Sequence, residues 1–488
     1  MSDRFAHYAA TDGNAPSGGN KQGTLSATGK VSNFIAAARY EDLPAEAIKT
    51  AKIAILDTLG VTIAGVATST GQIACEVAKD TGSRAASTLI GAGLKTDPAN
   101  AAFVNGTTGH ALDYDDVSWT MIGHPSVAVL PAVLALAEER GLSGRDVLLA
   151  YIVGFEIAAK LGAAMNPRHY EQGWHATGTL GTMGAVAAAA RIAGLNAKQA
   201  KFALGIASSS AAGIRQNFGT DTKPFHAGNA ARAGVLAVQL AARGFNSDAN
   251  ILDEQWGFFN VFANPGTYRA EALSERVGAP GDIVEPGVLL KMYPSCVSTH
   301  TSIDAMLKLV NTHDIKPDQV ESVDAGVVYL TTKILIHNRP TQALEGKFSM
   351  PYCMARCILN RGVYLSHFND VAIMDPAAQA MLRKVTMRIE PAVSDNWRAG
   401  LPRPAIITVK LKNGQSVSQR IDNPSGNTGN LEMEKVLAKF RDCAQFLGNS
   451  DVVGKAEDMI LNLEKVGNIG ELMKLLSGRA YKDVGVHF

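Results

Sequence analysis

Between residues 30 and 243, apolar residues recur at the spacing of an α-helix, and alanine and glycine are unusually frequent among them. Ser143 with Asp146 three residues later resembles a capping box, and Asn196 resembles an N-cap, so two helix starts are marked. Small side chains let helix backbones approach closely, which predicts a compact all-helical domain. The predicted helices lie at 45–66, 126–140, 143–165, 178–194 and 197–211.

The pattern changes after about residue 285. Stretches rich in β-branched residues predict strands at 320–330, 383–390 and 405–421, with a hairpin turn at Asn413-Gly414. Helices are predicted at 298–312 and 343–361, which gives a smaller α+β domain with an antiparallel sheet. A helical pattern returns from about 431 to 476, and the helices it predicts could pack back onto the first domain. We therefore predict a mainly α fold with a flexible N-terminal tail at 1–25, a helical domain at 26–285 plus 425–488, and an inserted α+β domain at 286–424.

Charge and cysteine content narrow the function. The 46 Lys and Arg residues nearly balance the 45 Asp and Glu residues, and no basic stripe occurs, so nucleic acid and membranes are not expected partners. Five cysteines without a CxxC pair are typical of a reducing compartment. The start lacks a signal-peptide pattern, and the apolar stretches contain charges such as Glu156 and Lys160. We expect a cytoplasmic protein with a small-molecule substrate.

The stretch 105–125 combines three acids and two imidazoles between hydrophobic helices: His110, Asp113, Asp115, Asp116 and His124. The three-residue spacing of His110 and Asp113 predicts that they share one helical face. Core packing does not explain such a set. The alternative to a functional site is a solvated, capped helix end. This stretch is the first candidate for chemistry.

Two further stretches place ionisable residues at helix starts. His175 precedes a Gly-rich helix, where free backbone N–H groups favour anions, although a buried histidine bonded to a carbonyl is equally compatible. Lys223 and His226 lie three apart, with Pro224 at a plausible first helical position. A lysine there adds its charge to the helix dipole, and together they favour binding of a carboxylate. The alternative is that Lys223 faces solvent.

The segment 291–300 lies at the junction of the two blocks, where ligand sites are common. It contains Lys291, Tyr293, Cys296 and His300. Cys296 is a nucleophile only if its pKa is lowered and is otherwise a small buried side chain. Lys347 is another candidate anion ligand, or an exposed helix residue.

The motifs of metal, nucleotide and serine chemistry are missing. The sequence has no HExxH, no closely spaced Cys/His set, no GxGxxG after a strand, no Walker loop and no serine elbow. Histidine, lysine and carboxylate chemistry without metal or cofactor remains, which suits proton transfer alpha to a carboxylate.

From about residue 28 onward the chain resembles the MmgE/PrpD family, whose members dehydrate 2-methylcitrate, decarboxylate cis-aconitate or epimerise iminodisuccinate. The resemblance implies a helical domain built from both chain ends, a smaller α+β lid domain, a homodimer and no cofactor. The segments that carry it are 105–116, 123–126, 173–175, 222–231 and 291–296.

By that resemblance, five residues carry over from the decarboxylase active site: Asp113, His124, His175, Lys223 and Lys291. Tyr329 corresponds to a tyrosine of the lid. Two departures are Cys296, where animal-type decarboxylases have a second histidine, and Val117, where they have a threonine, with Ser118 next to it. Residues 169–175 are closer to the epimerase-like branch, in which Tyr170 is a candidate acid/base beside His175.

We therefore predict a cofactor-free lyase, either a dehydratase or a decarboxylase, that acts on a di- or tricarboxylic acid. Lys223, Lys291 and His124 would bind carboxylates, and His175, Asp113 and Tyr170 would handle the proton. Two alternatives remain: an epimerase of an amino- or imino-dicarboxylate, and a non-catalytic carboxylate-binding protein. The other predicted substrate contacts are Ser118, His226, Cys296, Tyr329 and Lys347.

Overall fold

The computed structural model describes residues 25–278, 281–398 and 401–478. Helices make up 58% of the chain and strands only 9%, which confirms the predicted mainly α fold with a small α+β part. The predicted N-terminal tail lies outside the described residues apart from Leu25.

The regular structure of residues 25–278 is helical apart from one two-stranded ribbon, β1 (Ser87–Leu89) and β2 (Leu94–Thr96), that the sequence did not indicate. Helices α4, α5, α6, α8 and α10 pack on one another at its centre. The helices are α1 (Ala27–Ala37), α2 (Ala45–Gly65), α3 (Ser69–Asp80), α4 (Pro98–Ala111), α5 (Pro125–Arg140), α6 (Gly144–Met165), α7 (Arg168–Glu171), α8 (Ala176–Ile192), α9 (Ala197–Ser208), α10 (Thr222–Ala241), α11 (Phe258–Ala263) and α12 (Ala270–Ser274).

Several predicted boundaries are confirmed, and others are wrong. Ser143 forms a capping box with Asp146 at the start of α6, and Asn196 caps α9. Pro224 is the third residue of α10, not the first. A proline is tolerated there because the first N–H groups of a helix have no partner within it.

Helix α6 is long and apolar enough to cross a membrane by length and composition, but 94% of its apolar window is buried inside the protein. Its two buried charges are paired in the core: Lys160 bonds to Glu156 and, at 2.8 Å, to Asp282. A central core helix of a folded body has the same features, so the apolar length of α6 is weak support for a membrane span.

The middle of the chain forms the α+β part. It contains helices α13 (His300–Thr312), α14 (Tyr329–Ile334), α15 (Ala343–Lys347), α16 (Met350–Asn360), α17 (Asp370–Ile373), α18 (Pro376–Leu382) and α19 (Pro391–Ser394). The strands are β3 (Val320–Val327), β4 (Val385–Ile389), β5 (Ala405–Leu411) and β6 (Ser416–Ile421). The predicted strand at 320–330 therefore stops early and runs into a helix, and the predicted helix at 343–361 is two helices.

The sheet has the order β4-β3-β5-β6. Strand β5 alternates between buried and less buried residues, so one face of the sheet packs on α13. The prediction of an antiparallel sheet is wrong in one pairing, since β3 and β4 run parallel. Parallel neighbours need a long crossover, which the helices between them supply. Gly414, at φ +89°, makes the predicted β5–β6 turn.

The C-terminal helices α20 (Met433–Ala444), α21 (Ser450–Leu461) and α22 (Ile469–Leu476) return to the N-terminal half. Both α20 and α21 pack on α2, and α22 packs on α5. We call α1–α12 together with α20–α22 the helical body. The α+β part is thus inserted between two segments of one body.

Close contact between α4 and α10 positions the candidate residues. A Cβ on Gly228 would lie 2.3 Å from the carbonyl oxygen of Phe103, and one on Gly106 would lie 2.9 Å from the Cα of Gly228. Only glycine permits this approach. It brings the C-terminal end of α4, with His110, next to the N-terminal end of α10, with Lys223.

Candidate active site

The loop from Leu112 to His124, between α4 and α5, forms the floor of the site. The three-residue spacing predicted that His110 and Asp113 share a helical face, and this prediction is wrong. Helix α4 ends at Ala111, so Asp113 lies beyond the helix. Asp113 and Ile122 both have left-handed backbone conformations, with φ of 49° and 53°. Such positions cost about 1–3 kcal/mol each and are typical of functional sites.

Asp113 is the centre of the charged network. Its Oδ1 accepts hydrogen bonds from Lys223 Nζ at 2.9 Å and Lys291 Nζ at 2.6 Å. Lys291 also donates to the Asp113 carbonyl at 2.8 Å. Burial acts to raise the pKa of Asp113, but the two ammonium groups outweigh it and hold that pKa well below its usual range. Asp113 is therefore a carboxylate that fixes both lysines.

Asp115 orients two imidazoles beneath the loop. His110 Nδ1 lies 2.9 Å from its carboxylate, and His110 Nε2 lies 3.0 Å from Lys223 Nζ. Since the ammonium can only donate, His110 Nε2 is the acceptor and Nδ1 carries the proton. His124 Nδ1 lies 3.0 Å from the same carboxylate, which leaves Nε2 on the side of Asp113, 3.9 Å from its Oδ1.

His175 directly precedes α8, as predicted, and pairs with His226. The two Nδ1 atoms lie 2.9 Å apart, so one imidazole donates and the other accepts. Burial and then the charge of Lys223 lower the pKa of both rings, that of His226 to about 4. Burial also lowers the pKa of His124. His124 and His175 are therefore neutral near pH 7 and able to accept a proton.

One cavity brings six of the predicted residues together. Side chains from both the helical body and the α+β part line it. Its apolar wall includes Trp119, Phe218 and Phe348. The predicted residues that line it are Asp113, His124, Tyr170, His175, Lys223 and Cys296.

Two predicted residues touch the lining from behind. Lys291 is fully buried and reaches Asp113, and His226 reaches His175. Their contacts are those of positioning residues. Lys439, in the C-terminal helix α20, supports Lys291 in turn, because its Nζ donates to the Lys291 carbonyl at 2.9 Å and pairs with Asp57 at 2.6 Å.

Three predicted substrate contacts do not line the cavity. The Ser118 hydroxyl accepts from the Met121 N–H, which closes the loop. The Tyr329 hydroxyl donates to Glu171 at 3.1 Å. The ammonium of Lys347 donates to backbone carbonyls, one of them that of Pro294, at 3.0 Å. These side chains are used to hold chain segments in place.

Two features of the site lay beyond the sequence prediction. Asp115 was noted only as one acid among three, because nothing in its spacing shows that it orients two histidines. Arg403 lines the cavity from the segment before β5, yet the sequence gives no signal for it, since it is a lone arginine between two prolines.

The loop also offers a group of metal-ligand atoms. His110, Asp113, Asp115 and His124 each supply one ligand atom, all within 4.8 Å of one another. The set resembles a zinc site in its donors, but Asp113 Oδ1 already holds two ammonium groups, which repel a cation. The residues therefore fit a metal poorly.

We predict that prolonged EDTA treatment followed by desalting leaves turnover unchanged within about twofold, because the two lysines already neutralise Asp113. The measurement compares initial rates before and after chelation. Lost activity that returns on adding zinc or magnesium would contradict the prediction.

The buried histidines predict that the folded protein becomes less stable as the pH falls. Burial lowers the pKa of His110 and His300 to about 3 and that of His169 to about 4. Below pH 6.5 each takes up a proton on unfolding, so stability falls by about 1.4 kcal/mol per pH unit per group as the pH drops towards 4. Asp116, whose pKa is raised to about 8 by burial, releases a proton and offsets one of them.

The test is the midpoint of urea unfolding between pH 7 and 4.5. His300→Gln should reduce the slope by about one proton. A midpoint that stays constant over this range would contradict the prediction.

Two family models match the chain: the MmgE/PrpD N-terminal domain at residues 29–271 and the MmgE/PrpD C-terminal domain at 293–465. Cis-aconitate decarboxylase from Homo sapiens is 31% identical over 448 residues, which cover 90% of this chain and 92% of that protein. The protein of the same name from Mus musculus is 29% identical over 449 residues, 89% of this chain and 90% of its own length. That from Aspergillus terreus is 26% identical over 490 residues, 96% and 98% of the two chains.

The mainly helical body, the α+β part and the cavity that both line, together with these relatives, define an enzyme of the lyase class. The resemblance seen in the sequence is confirmed, and the chain belongs to the MmgE/PrpD family.

Proposed function

We propose that this lyase decarboxylates a small, unsaturated di- or tricarboxylic acid, with cis-aconitate as the first substrate to test. The observation that carries the proposal is a fixed ammonium, Lys223, beside two neutral imidazoles, His124 and His175, on one cavity. The names of the relatives, at 26–31% identity over most of their length, support the same reaction.

Decarboxylation needs a place for an electron pair and a source of a proton. When the bond to the leaving carboxylate breaks as CO₂ departs, its electron pair stays on the substrate and is delocalised towards a remaining carboxylate. In the proposal Lys223 stabilises that developing charge, since a buried ammonium acts more strongly on a nearby anion than an exposed one. An imidazole that gains a proton on substrate binding then returns it to carbon.

The charges of the network around Asp113 cancel one another before a substrate binds. The two carboxylates, Asp113 and Asp115, are balanced by Lys223 and Lys291, and the histidines are neutral. An incoming polycarboxylate therefore adds negative charge beside His175 and His124 and raises their pKa. This change converts a base into the acid that the reaction requires.

Dehydration and epimerisation also move a proton on a carbon next to a carboxylate, so the test must separate them from decarboxylation. Purified protein is incubated in deuterated buffer with cis-aconitate, 2-methylcitrate and iminodisuccinate, and proton NMR follows each. We expect loss of CO₂ from cis-aconitate with one deuterium incorporated at carbon. Loss of water from 2-methylcitrate would favour dehydration, and exchange without a leaving group would favour the epimerase.

Two residues of the cavity wall justify the wider substrate panel. By the family resemblance, Val117 and Cys296 stand where animal-type decarboxylases have a threonine and a histidine, and both line the cavity. Pocket contacts of this kind change substrate preference by about 1–3 kcal/mol each. If none of the three acids reacts or exchanges, the proposal fails.

Replacing Lys223 with alanine is expected to lower kcat at least ~100-fold, because the cavity loses the ammonium that faces the reacting anion. The measurement is steady-state turnover of the best substrate. The matched control is Lys474→Ala, an exposed lysine on α22, which should keep the wild-type rate. A rate for Lys223→Ala within threefold of wild type would remove it from the mechanism.

A further inference from the structure

Arg403 is a buried cation on the cavity wall that the mechanism above does not use. It lies just before β5, in the α+β part, and only 5% of its surface is exposed. Its Nη1 donates to the hydroxyl of Ser298 at 2.9 Å, and Ser298 also lines the cavity. Its guanidinium carbon lies 5.4 Å from the ring centre of Trp119.

The charge of Arg403 is not compensated within the described part of the chain. No carboxylate there pairs with it, and its buried Nε has no hydrogen-bond partner. Buried charges are normally paired, because burial without a partner is unfavourable. An arginine stays protonated at any ordinary pH, so it cannot avoid the cost by losing its proton. An anionic ligand bound in the cavity would supply the counter-charge that this buried guanidinium lacks.

We propose that Arg403, with Ser298, binds a second carboxylate of the substrate. The inference rests on the proposed function, because it assigns the substrate class of the same cavity. Lys223 reaches the substrate from the helical body, and Arg403 reaches it from the α+β part. One polycarboxylate therefore links both parts, and acids with a single carboxylate bind poorly.

Two roles for Arg403 make different predictions about stability. A structural arginine, held by Ser298 and the face of Trp119, stabilises the fold, and its removal lowers the melting temperature. A ligand-binding arginine without an internal counter-charge does not stabilise the empty protein. Its replacement by a neutral side chain leaves the melting temperature unchanged or raises it.

The experiment is calorimetric binding of tricarballylate, a saturated tricarboxylate, to wild type, Arg403→Gln and Arg403→Met, with melting temperatures of the ligand-free proteins. We expect affinity to fall about 10- to 100-fold in both variants, the usual effect of losing a charge-assisted hydrogen bond. Arg403→Lys should retain part of the affinity, because it keeps the charge without the planar fork. Lys410→Gln is the control, since Lys410 is exposed on β5 and pairs with Glu321.

Wild-type affinity for tricarballylate in Arg403→Gln overturns the inference. So does a fall of more than a few degrees in the ligand-free melting temperature of both neutral variants, or their failure to fold, because either result assigns Arg403 a structural role. If the wild type binds tricarballylate through Arg403 but converts none of the three acids, the proposed function fails and the inference stands. If the wild type converts an acid and Arg403→Gln binds tricarballylate normally, the inference about Arg403 fails and the proposed function stands.

Discussion

Asp113→Asn is expected to lower kcat/KM at least ~1000-fold. Asparagine keeps the shape of the side chain but not its charge, so Lys223 and Lys291 lose their common counter-ion. The two ammonium groups then repel each other, and Lys223 leaves the position from which it faces the cavity. Catalysis depends on such positioning to within a fraction of an ångström. The measurement is steady-state kinetics with the best substrate.

The same substitution should also destabilise the fold. Removing one partner of a buried ion pair leaves an uncompensated charge and typically costs about 3–5 kcal/mol. The double variant Asp113→Asn with Lys291→Met removes one of the two stranded charges, so it should regain much of the urea stability while its activity stays low. Recovery of activity in the double variant, or a single variant as stable and active as wild type, would contradict the central role of Asp113.

The network around Asp113 shows how far the sequence could predict the site. The cluster in 105–125 and the basic residues at 223 and 291 stood out because ionisable side chains between apolar helices have few structural explanations. Their convergence was an expectation from the family resemblance, and the geometry places six of the residues on one cavity. Some of these residues line the cavity and others support it from behind. This difference depends on contacts between residues 110 and 178 positions apart in the chain, which a local sequence pattern does not reveal.

The failures of prediction have the same physical origin. The helix of His110 ends before Asp113 because the loop is held by tertiary bonds, including the pairing of Val117 with Leu289. The parallel β3–β4 pair is set by a crossover of several helices, not by the strand sequences. Arg403 has no local pattern at all, and the role proposed for it rests on tertiary surroundings in which no described carboxylate pairs with it.

His175→Ala is expected to lower kcat about 100- to 10,000-fold with a smaller change in KM, the usual range for loss of an acid–base group. His175 lines the cavity and is held by the start of α8 and by His226. Alanine keeps the helix start, because the His175 side chain makes no capping bond there. The readouts are turnover and deuterium incorporation at the substrate carbon, both of which should fall together.

His226→Gln is the matched control, because His226 contacts His175 without lining the cavity. Glutamine can donate or accept a hydrogen bond, so it can still hold the His175 ring, and we expect a loss below about tenfold. Equal losses in the two variants would mean that the pair acts as one positioning unit and that His175 does not itself move the proton. A His175→Ala enzyme that still exchanges deuterium at the wild-type rate would transfer the proton role to His124, the other neutral imidazole of the cavity.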